Sequence, residues 1–175
     1  LPAAGSEATG TVTISRNGDL LGALYVHLPS FDGTAANRAV KEVRLEIGGQ
    51  EIDKHYGEWL EIWNELKIDS NKKNGFNNRM IGKFSDDEWF NKGIYYNANA
   101  LRLYIPLQFW FCKNSGLALP LVALQYHDVK LIIKFNDFDN CWYNVHHNKK
   151  KEFPFNKPDS NKYKMVSSHM HCNYV

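Results

Sequence analysis

The chain has little cysteine, and its thiols are far apart. Its 175 residues contain three cysteines, Cys112, Cys141 and Cys172. An odd number at such wide spacing argues against a disulfide framework and favours a reducing compartment. The sequence also lacks any Asn-x-Ser/Thr glycosylation site, and residues 1–7 have neither the basic start nor the apolar core of a signal peptide. These absences argue against the usual secreted glycoprotein.

Formal charge is nearly absent from residues 103–127, where Lys113 is the only formally charged side chain. A hydropathy scan would flag such a stretch as a membrane span. Pro106 and Pro120 would break a spanning helix there, and the first half alternates with a period of two instead of 3.6. We therefore predict no membrane insertion.

Excess charge of one sign is small as well. The formal net charge is +2, from 21 basic and 19 acidic residues. Residues 141–175 hold six Lys against two acidic residues, an excess of +4, which is too sparse to predict a nucleic-acid-binding face. The run Lys149–Lys151 is typical of a solvated loop. With 43% apolar residues, the chain can bury one sizeable core, so we expect a single domain over residues 1–175.

No residues are grouped as catalysis would require. Cys112 with His127 is the best nucleophile–base pair available. Cys112, however, lies in the most apolar segment of the chain, where a thiol is ordinarily a packing residue. The sequence has no Gly-rich phosphate loop either. We predict that the chain is not an enzyme and has no cofactor.

Candidate metal ligands are incomplete. His169 and His171 would share one face of a strand and could bind zinc together with Cys172 and either His127 or the pair 146–147. A cupin site that begins with His-x-His needs a Glu shortly afterwards, and only residues 173–175 follow here. The acidic cluster at residues 86–88 lacks the ligand spacing of an EF-hand. We therefore predict no metal site.

The strongest positive pattern is strand-like alternation. Residues 101–111 are apolar at every second position, and so are residues 129–135, where Lys130 and Lys134 point to the opposite face. Such alternation predicts two strands that bury one face each, the first continuous through residue 112. The side chains that we expect to face inward are Leu103, Ile105, Leu107, Phe109, Leu131, Ile133 and Phe135.

Shorter signals complete the predicted fold. Asn17-Gly18 between two alternating segments predicts a hairpin, and Gly48-Gly49 ends a further strand. Asp53 is a candidate N-cap for a short helix at about 54–66. The apolar face of this helix would cover the sandwich, with its glutamates outward. That face comprises Tyr56, Trp59, Leu60, Trp63 and Leu66. With long polar loops at 67–98 and 136–164, the pattern predicts an all-β, antiparallel sandwich.

Three stretches resemble one family. They are Ile-Ser-Arg-Asn-Gly-Asp-Leu at 14–20, Val-Arg-Leu-Glu-Ile-Gly-Gly-Gln-Glu-Ile-Asp-Lys-His-Tyr-Gly-Glu-Trp at 43–59, and Leu-Tyr-Ile-Pro-Leu-Gln-Phe-Trp-Phe-Cys-Lys-Asn-Ser-Gly-Leu-Ala-Leu-Pro-Leu-Val-Ala-Leu-Gln-Tyr-His-Asp-Val from 103. Together they closely resemble the major capsid protein of the nucleocytoplasmic large DNA viruses, of the algal-virus and giant-virus type. The resemblance is clear up to Phe135.

This resemblance implies a jelly roll, the first of two in the family's chain, with the segment for the family's first strand missing before Leu1. It also implies homotrimers that form pseudo-hexagonal capsomers of an icosahedral virion, in contact with neighbouring capsomers or minor capsid proteins. Assembly would take place in the host cytoplasm. Two alternatives stay open from the residues alone. One is a cytosolic carbohydrate-binding module using Trp59, Trp89 and Trp142, and the other is a cupin-like metal-binding protein.

Overall fold

The computed structural model describes residues 8–29, 36–82, 102–137 and 169–174. The strands in these ranges are β1 (Ala8–Thr13), β2 (Leu20–Pro29), β3 (Val40–Ile47), β4 (Gln50–Tyr56), β5 (Arg102–Pro106), β6 (Leu119–Pro120), β7 (Val129–Phe135) and β8 (His169–Tyr174). The helices are α1 (Ala36–Ala39), α2 (Gly57–Lys67), α3 (Ser70–Phe76) and α4 (Trp110–Lys113), with a π-helical turn at Asn77–Ile81 and a 3₁₀ turn at Ser115–Leu117. Within these ranges no helix has the length and apolarity needed to cross a bilayer.

The strands form two antiparallel sheets. Sheet A has the order β1-β7-β3-β4. In sheet B, β2 is central and pairs with β5, β6 and β8. Tyr25 is opposite both Pro106 and His171, and Leu21 is opposite both Leu119 and Tyr174. Because a strand has only two edges, β8 occupies one edge of β2 while β5 and β6 share the other.

Both sheets bury their inner faces in one core, as the alternation predicts. The buried set includes all seven side chains expected to face inward, namely Leu103, Ile105, Leu107, Phe109, Leu131, Ile133 and Phe135. Residues of β2 and β3, among them Leu24, Val26, Val43 and Leu45, fill the same core. The predicted inward faces of these two segments are therefore confirmed.

The prediction of one continuous strand through residue 112 is wrong. β5 ends at Pro106, and the chain turns into α4 at Trp110. Leu107 still donates its backbone N–H to Leu24 (2.9 Å), so the chain stays beside β2 for a few residues more. Burial keeps alternating through Phe111. Alternating burial therefore extends beyond the hydrogen-bonded strand. The sequence pattern predicted the alternating burial correctly but not the end of the strand.

The predicted Asn17-Gly18 hairpin is also wrong. β1 pairs with β7 in sheet A, whereas β2 lies in sheet B, so residues 14–19 cross from one sheet to the other. The tight hairpin lies instead at Gly48-Gly49, where Ile47 is opposite Gln50. Both glycines have positive φ, 60° and 82°. Positive φ at both central residues is the requirement of a type I′ turn, and glycine meets it without steric cost.

The predicted helix at 54–66 begins later than expected. β4 continues through Tyr56, and α2 runs from Gly57 to Lys67. Asp53 does not cap the helix, because it lies inside β4, opposite Leu45. Its carboxylate accepts the backbone N–H of Lys54 (2.8 Å). Pairing of β4 with β3 therefore overrides the capping signal of Asp53.

Helix α2 covers the sandwich through a narrower face than predicted. Its buried residues are Gly57, Leu60 and Asn64. Leu66, which we expected inside, is 79% exposed. Glu61, expected in solvent, is half-buried and accepts a hydrogen bond from Asn37 Nδ2 (2.8 Å). The covering role of the helix is confirmed, while the predicted set of buried side chains is largely wrong.

Candidate assembly surfaces

The structure does not bring the candidate nucleophile and base together. Cys112 lies against β2 of sheet B, with its Sγ 3.7 Å from the carbonyl oxygen of Gly22. His127 is exposed and lies against the β3–β4 turn of sheet A, close to Gly48. Burial raises the pKa of the Cys112 thiol to about 11. A thiol with so high a pKa is almost entirely protonated at neutral pH, which suits a packing residue and not a nucleophile.

The candidate metal ligands are only partly within the described ranges. His146, His147 and the acidic cluster at 86–88 lie outside them. His171 is exposed on β8, and the neighbouring Cys172 is half-buried on the core side of that strand. In the part of the chain that the structure describes, no three His, Cys, Asp or Glu side chains are grouped as a metal ion would require.

The outer face of sheet A carries a network of ion pairs. Arg44 Nε lies 2.7 Å from Glu42 Oε1, and Arg44 Nη1 lies 3.7 Å from Glu51. Lys134 of β7 and Lys54 of β4 extend the network to Glu42 and Glu51, respectively, each at 3.7 Å. Such partly exposed pairs contribute little stability individually. They mark this face as one that is compatible with water.

The outer face of sheet B is aromatic instead. The ring of Tyr104 stacks on His27 with centroids 4.8 Å apart, and His171 contacts both rings at 5.7 Å. Tyr104 is half-buried, because these neighbouring rings cover part of it. The two sheets therefore present outer faces of different chemistry.

Helix α2 displays an apolar stripe of Trp59, Ile62 and Leu66. These positions are spaced i, i+3 and i+7, so they lie on one side of the helix. They are 39%, 51% and 79% exposed, respectively. The helix rests on the core through Leu60 and Asn64, which turns this stripe toward solvent. Sequence periodicity predicted an apolar face here but could not tell that a large part of it stays uncovered.

A second exposed apolar group follows α4. It consists of Leu117, Val122 and Tyr126, and Tyr126 is 93% exposed. Nothing in the sequence pattern marked these residues as exposed. The carbohydrate-binding alternative needed Trp59, Trp89 and Trp142 on one face, and the last two lie outside the described residues.

Comparison with known proteins reveals a consistent set of similarities. A family model described as the major capsid protein N-terminus matches residues 3–175. The major capsid protein of Pyramimonas orientalis virus is 42% identical over 135 residues, which cover 73% of this chain and 33% of that protein. The major capsid protein of Phaeocystis pouchetii virus is 34% identical over 171 residues, covering 77% of this chain and 32% of that protein. The chain thus spans about one third of the length of these relatives.

Solved structures agree with the sequence relatives. The crystal structure of PBCV-1 VP54, fitted into a cryo-EM reconstruction of the virophage Sputnik, superposes with a TM-score of 0.59 and 26% identity. The quasi-atomic model of the PBCV-1 virus capsid superposes with a TM-score of 0.57 and 25% identity. Each match covers 95% of this chain and 41% of the solved chain. The predicted antiparallel sandwich of jelly-roll type is thereby confirmed.

Proposed function

Since this chain belongs to the family of the major capsid protein N-terminus, we propose that it is a structural subunit of the icosahedral capsid of a large DNA virus. The match over residues 3–175 carries this proposal. Relatives named as major capsid proteins support it. In this role the chain contributes a scaffold for the shell and performs no catalysis.

The packing of the molecule suits a scaffold. Two sheets share one core, and α2 closes over part of it. Close-packed interiors of this kind are hard to compress and transmit strain, which suits a rigid shell. Connections outside the sheets can vary without disturbing that core.

The arrangement of the whole protein is the finer part of the proposal. The chain spans about one third of its relatives' length, which leaves room for a second jelly roll, and we propose that residues 1–175 form the first of two. Three copies of the whole protein would form a pseudo-hexagonal capsomer. Capsomers would then contact one another and minor capsid proteins after assembly in the host cytoplasm. We propose no cofactor, no metal and no direct nucleic-acid contact.

We propose that the apolar stripe on α2 contacts a second copy of this chain. Leu66 is 79% exposed at its end. Exposed apolar residues in a contiguous group are typical of a protein–protein contact. Because a capsid repeats one subunit many times, a neighbouring copy is the partner available at the highest local concentration.

Electron microscopy of the purified full-length protein tests this function. We expect class averages with a pseudo-hexagonal outline. Leu66→Lys in the stripe should reduce the fraction of such particles. Ile52→Lys, the same kind of change at an exposed position outside both exposed apolar groups, should leave it unchanged. If the unmodified protein showed only single, unassembled chains, the capsid proposal would be contradicted. Equal behaviour of both variants would contradict only the assignment of the stripe.

A further inference from the structure

The second exposed apolar group lies on both sides of the short strand β6. It consists of Leu117, Val122 and Tyr126, which are 52%, 53% and 93% exposed, and is called the β6 patch below. Residues 114–127 contain no Asp, Glu, Lys or Arg, in a chain of which 23% of the residues are charged. Large apolar side chains that face outward from such an uncharged segment are typical of a surface that another polypeptide covers.

The β6 patch is built on a segment whose backbone is fixed. Leu121 donates its backbone N–H to the carbonyl oxygen of Asp19 (2.9 Å), and Leu124 donates its own to that of Leu121 (3.1 Å). The guanidinium of Arg16 donates to the carbonyl oxygens of Leu124 (2.9 Å) and His127 (3.2 Å). These bonds tie the segment to the connection between β1 and β2. A surface that is already held in one shape loses little conformational entropy when a partner covers it.

An open hollow adjoins the β6 patch. Its volume is about 320 Å³. Leu121 and Val122 are its apolar lining residues, and Arg16, Asp19 and Gln125 are among its polar ones. Because Val122 belongs to both, the patch and the hollow form one surface. The hollow has room for a bulky side chain, and anchors of this kind commonly dominate the energy of a protein contact.

The direction of β8 indicates which polypeptide covers this surface. Strand β8 is antiparallel to β2, and Tyr174 at its end is opposite Leu21. On the other edge of β2, the same Leu21 is opposite Leu119 of β6. Since neighbouring strands are about 4.8 Å apart, the main chains of Tyr174 and Leu119 lie roughly 10 Å from each other across β2. The polypeptide that follows β8 therefore starts close to β6 and its patch.

We propose that the β6 patch is covered by the segment of the same polypeptide that follows residue 175 in the full-length protein. This inference rests on the proposed function, in which residues 1–175 are the first part of a longer capsid subunit. The matching family model describes the N-terminus of the major capsid protein, and the chain spans about one third of the length of its relatives. A tethered segment that starts nearby has a high effective concentration at the patch, which favours it over a separate molecule.

Photo-cross-linking of the full-length protein tests which polypeptide covers the patch. Tyr126 is replaced by p-benzoylphenylalanine, and mass spectrometry locates the residues to which position 126 becomes bonded. We expect those residues to follow residue 175, in a product that keeps the mass of one chain on a denaturing gel. A product with the mass of two chains would show that a second copy covers the patch. That result, or cross-links to residues 1–175 alone, would overturn the proposal.

Thiol labelling with a maleimide gives a second readout, with mass spectrometry separating each engineered thiol from the native cysteines. In the folded full-length protein, Tyr126→Cys should react at least about tenfold more slowly than in urea, because a covered residue reacts only when the contact opens. Ile52→Cys, at a 48% exposed position outside both exposed apolar groups, should react nearly as fast folded as unfolded. Equally fast reaction of both variants in the folded protein would overturn the proposal.

This proposal and the capsid function fail separately. A species of three chains in which position 126 reacts rapidly would overturn the covering of the β6 patch and leave the capsid function intact. A monomeric full-length protein would contradict the capsid function, whereas a cross-link within that one chain would still support the covering of the patch.

Discussion

Among the described glycines, Gly57 is the one whose substitution by alanine should lower the stability of the fold most. It is the first residue of α2 and is buried where the helix approaches α1 and β3. A Cβ atom there would lie 2.2 Å from the carbonyl oxygen of Val40 and 2.6 Å from that of Asn37. Both contacts are with backbone, which cannot rotate away as a side chain would. We therefore predict that Gly57→Ala pushes α2 off the sandwich.

The size of the effect follows from two opposing contributions. Overpacking of a core site costs typically about 1–3 kcal/mol, and two backbone clashes place this site at the upper end. The better helix propensity of alanine returns at most about 1 kcal/mol. The net loss in free energy of unfolding should be at least about 2 kcal/mol. For a domain of this length that corresponds to a fall in Tm of roughly 4–8 °C.

Thermal and urea unfolding followed by circular dichroism would measure this loss. Gly75→Ala is the matched control, because Gly75 lies in α3 and a methyl group at its Cα would meet no atom within 4 Å beyond its own helix backbone and chain neighbours. The same substitution there should raise stability by about 0.5–1 kcal/mol. If Gly57→Ala cost less than about 1 kcal/mol, or if both variants changed stability equally, the close approach of α2 to β3 would be refuted.

Three further predictions concern burial and protonation. Ile105→Asp should abolish soluble expression, since Ile105 is fully buried and an unpaired charge there costs roughly several kcal/mol. Ile62→Asp on the exposed stripe should express normally. Equal expression of the two variants would contradict the assignment of Ile105 to the core. Burial lowers the pKa of His55, so the stability that the neutral imidazole contributes is complete above about pH 6.5 and is lost as the pH falls toward its folded pKa. Urea unfolding from pH 8 to 5 should therefore show a shallower decline in the free energy of unfolding for His55→Gln than for the unmodified protein. An equal decline in both would contradict this assignment. With a pKa of about 11, Cys112 should be only ~0.1% thiolate at pH 8. Mass spectrometry should therefore find Cys112 alkylated at least about 100-fold more slowly in the folded protein than in the protein unfolded in urea. Rapid alkylation of the folded protein would contradict the burial of this thiol.

Which faces of the strands are buried could be predicted from the sequence, because alternation follows directly from strand geometry. The ends of strands could not be predicted in the same way. Leu107 and Phe109 continue the alternation although β5 has ended at Pro106. Burial depends on the direction in which each side chain points, whereas a strand is defined by backbone hydrogen bonds to its neighbour. The two differ where a chain diverges gradually from the neighbouring strand.

Turn and cap signals were misleading because they describe local preference only. Asn17-Gly18 is a strong hairpin signal, yet the strands on either side belong to different sheets. Asp53 is a good N-cap by type, yet it pairs within β4. In both cases long-range strand pairing decided the outcome. Local propensity is worth about 1 kcal/mol or less per residue, which such pairing readily exceeds.

The surfaces were the least predictable feature. Leu66 and Ile62 look like core residues by type, and only the orientation of α2 on Leu60 and Asn64 leaves them exposed. The contact between His27 and His171 joins residues 144 positions apart (171 − 27 = 144). No short motif can signal such a contact, because it exists only once β2 and β8 have paired.

The mass of the full-length protein in solution tests the capsid proposal most directly. Size-exclusion chromatography with multi-angle light scattering at micromolar concentration should give a discrete species of three chains. An obligate contact of this kind typically buries upward of about 2,000 Å², so it should persist on dilution. A monodisperse monomer of the full-length protein at that concentration would contradict the account.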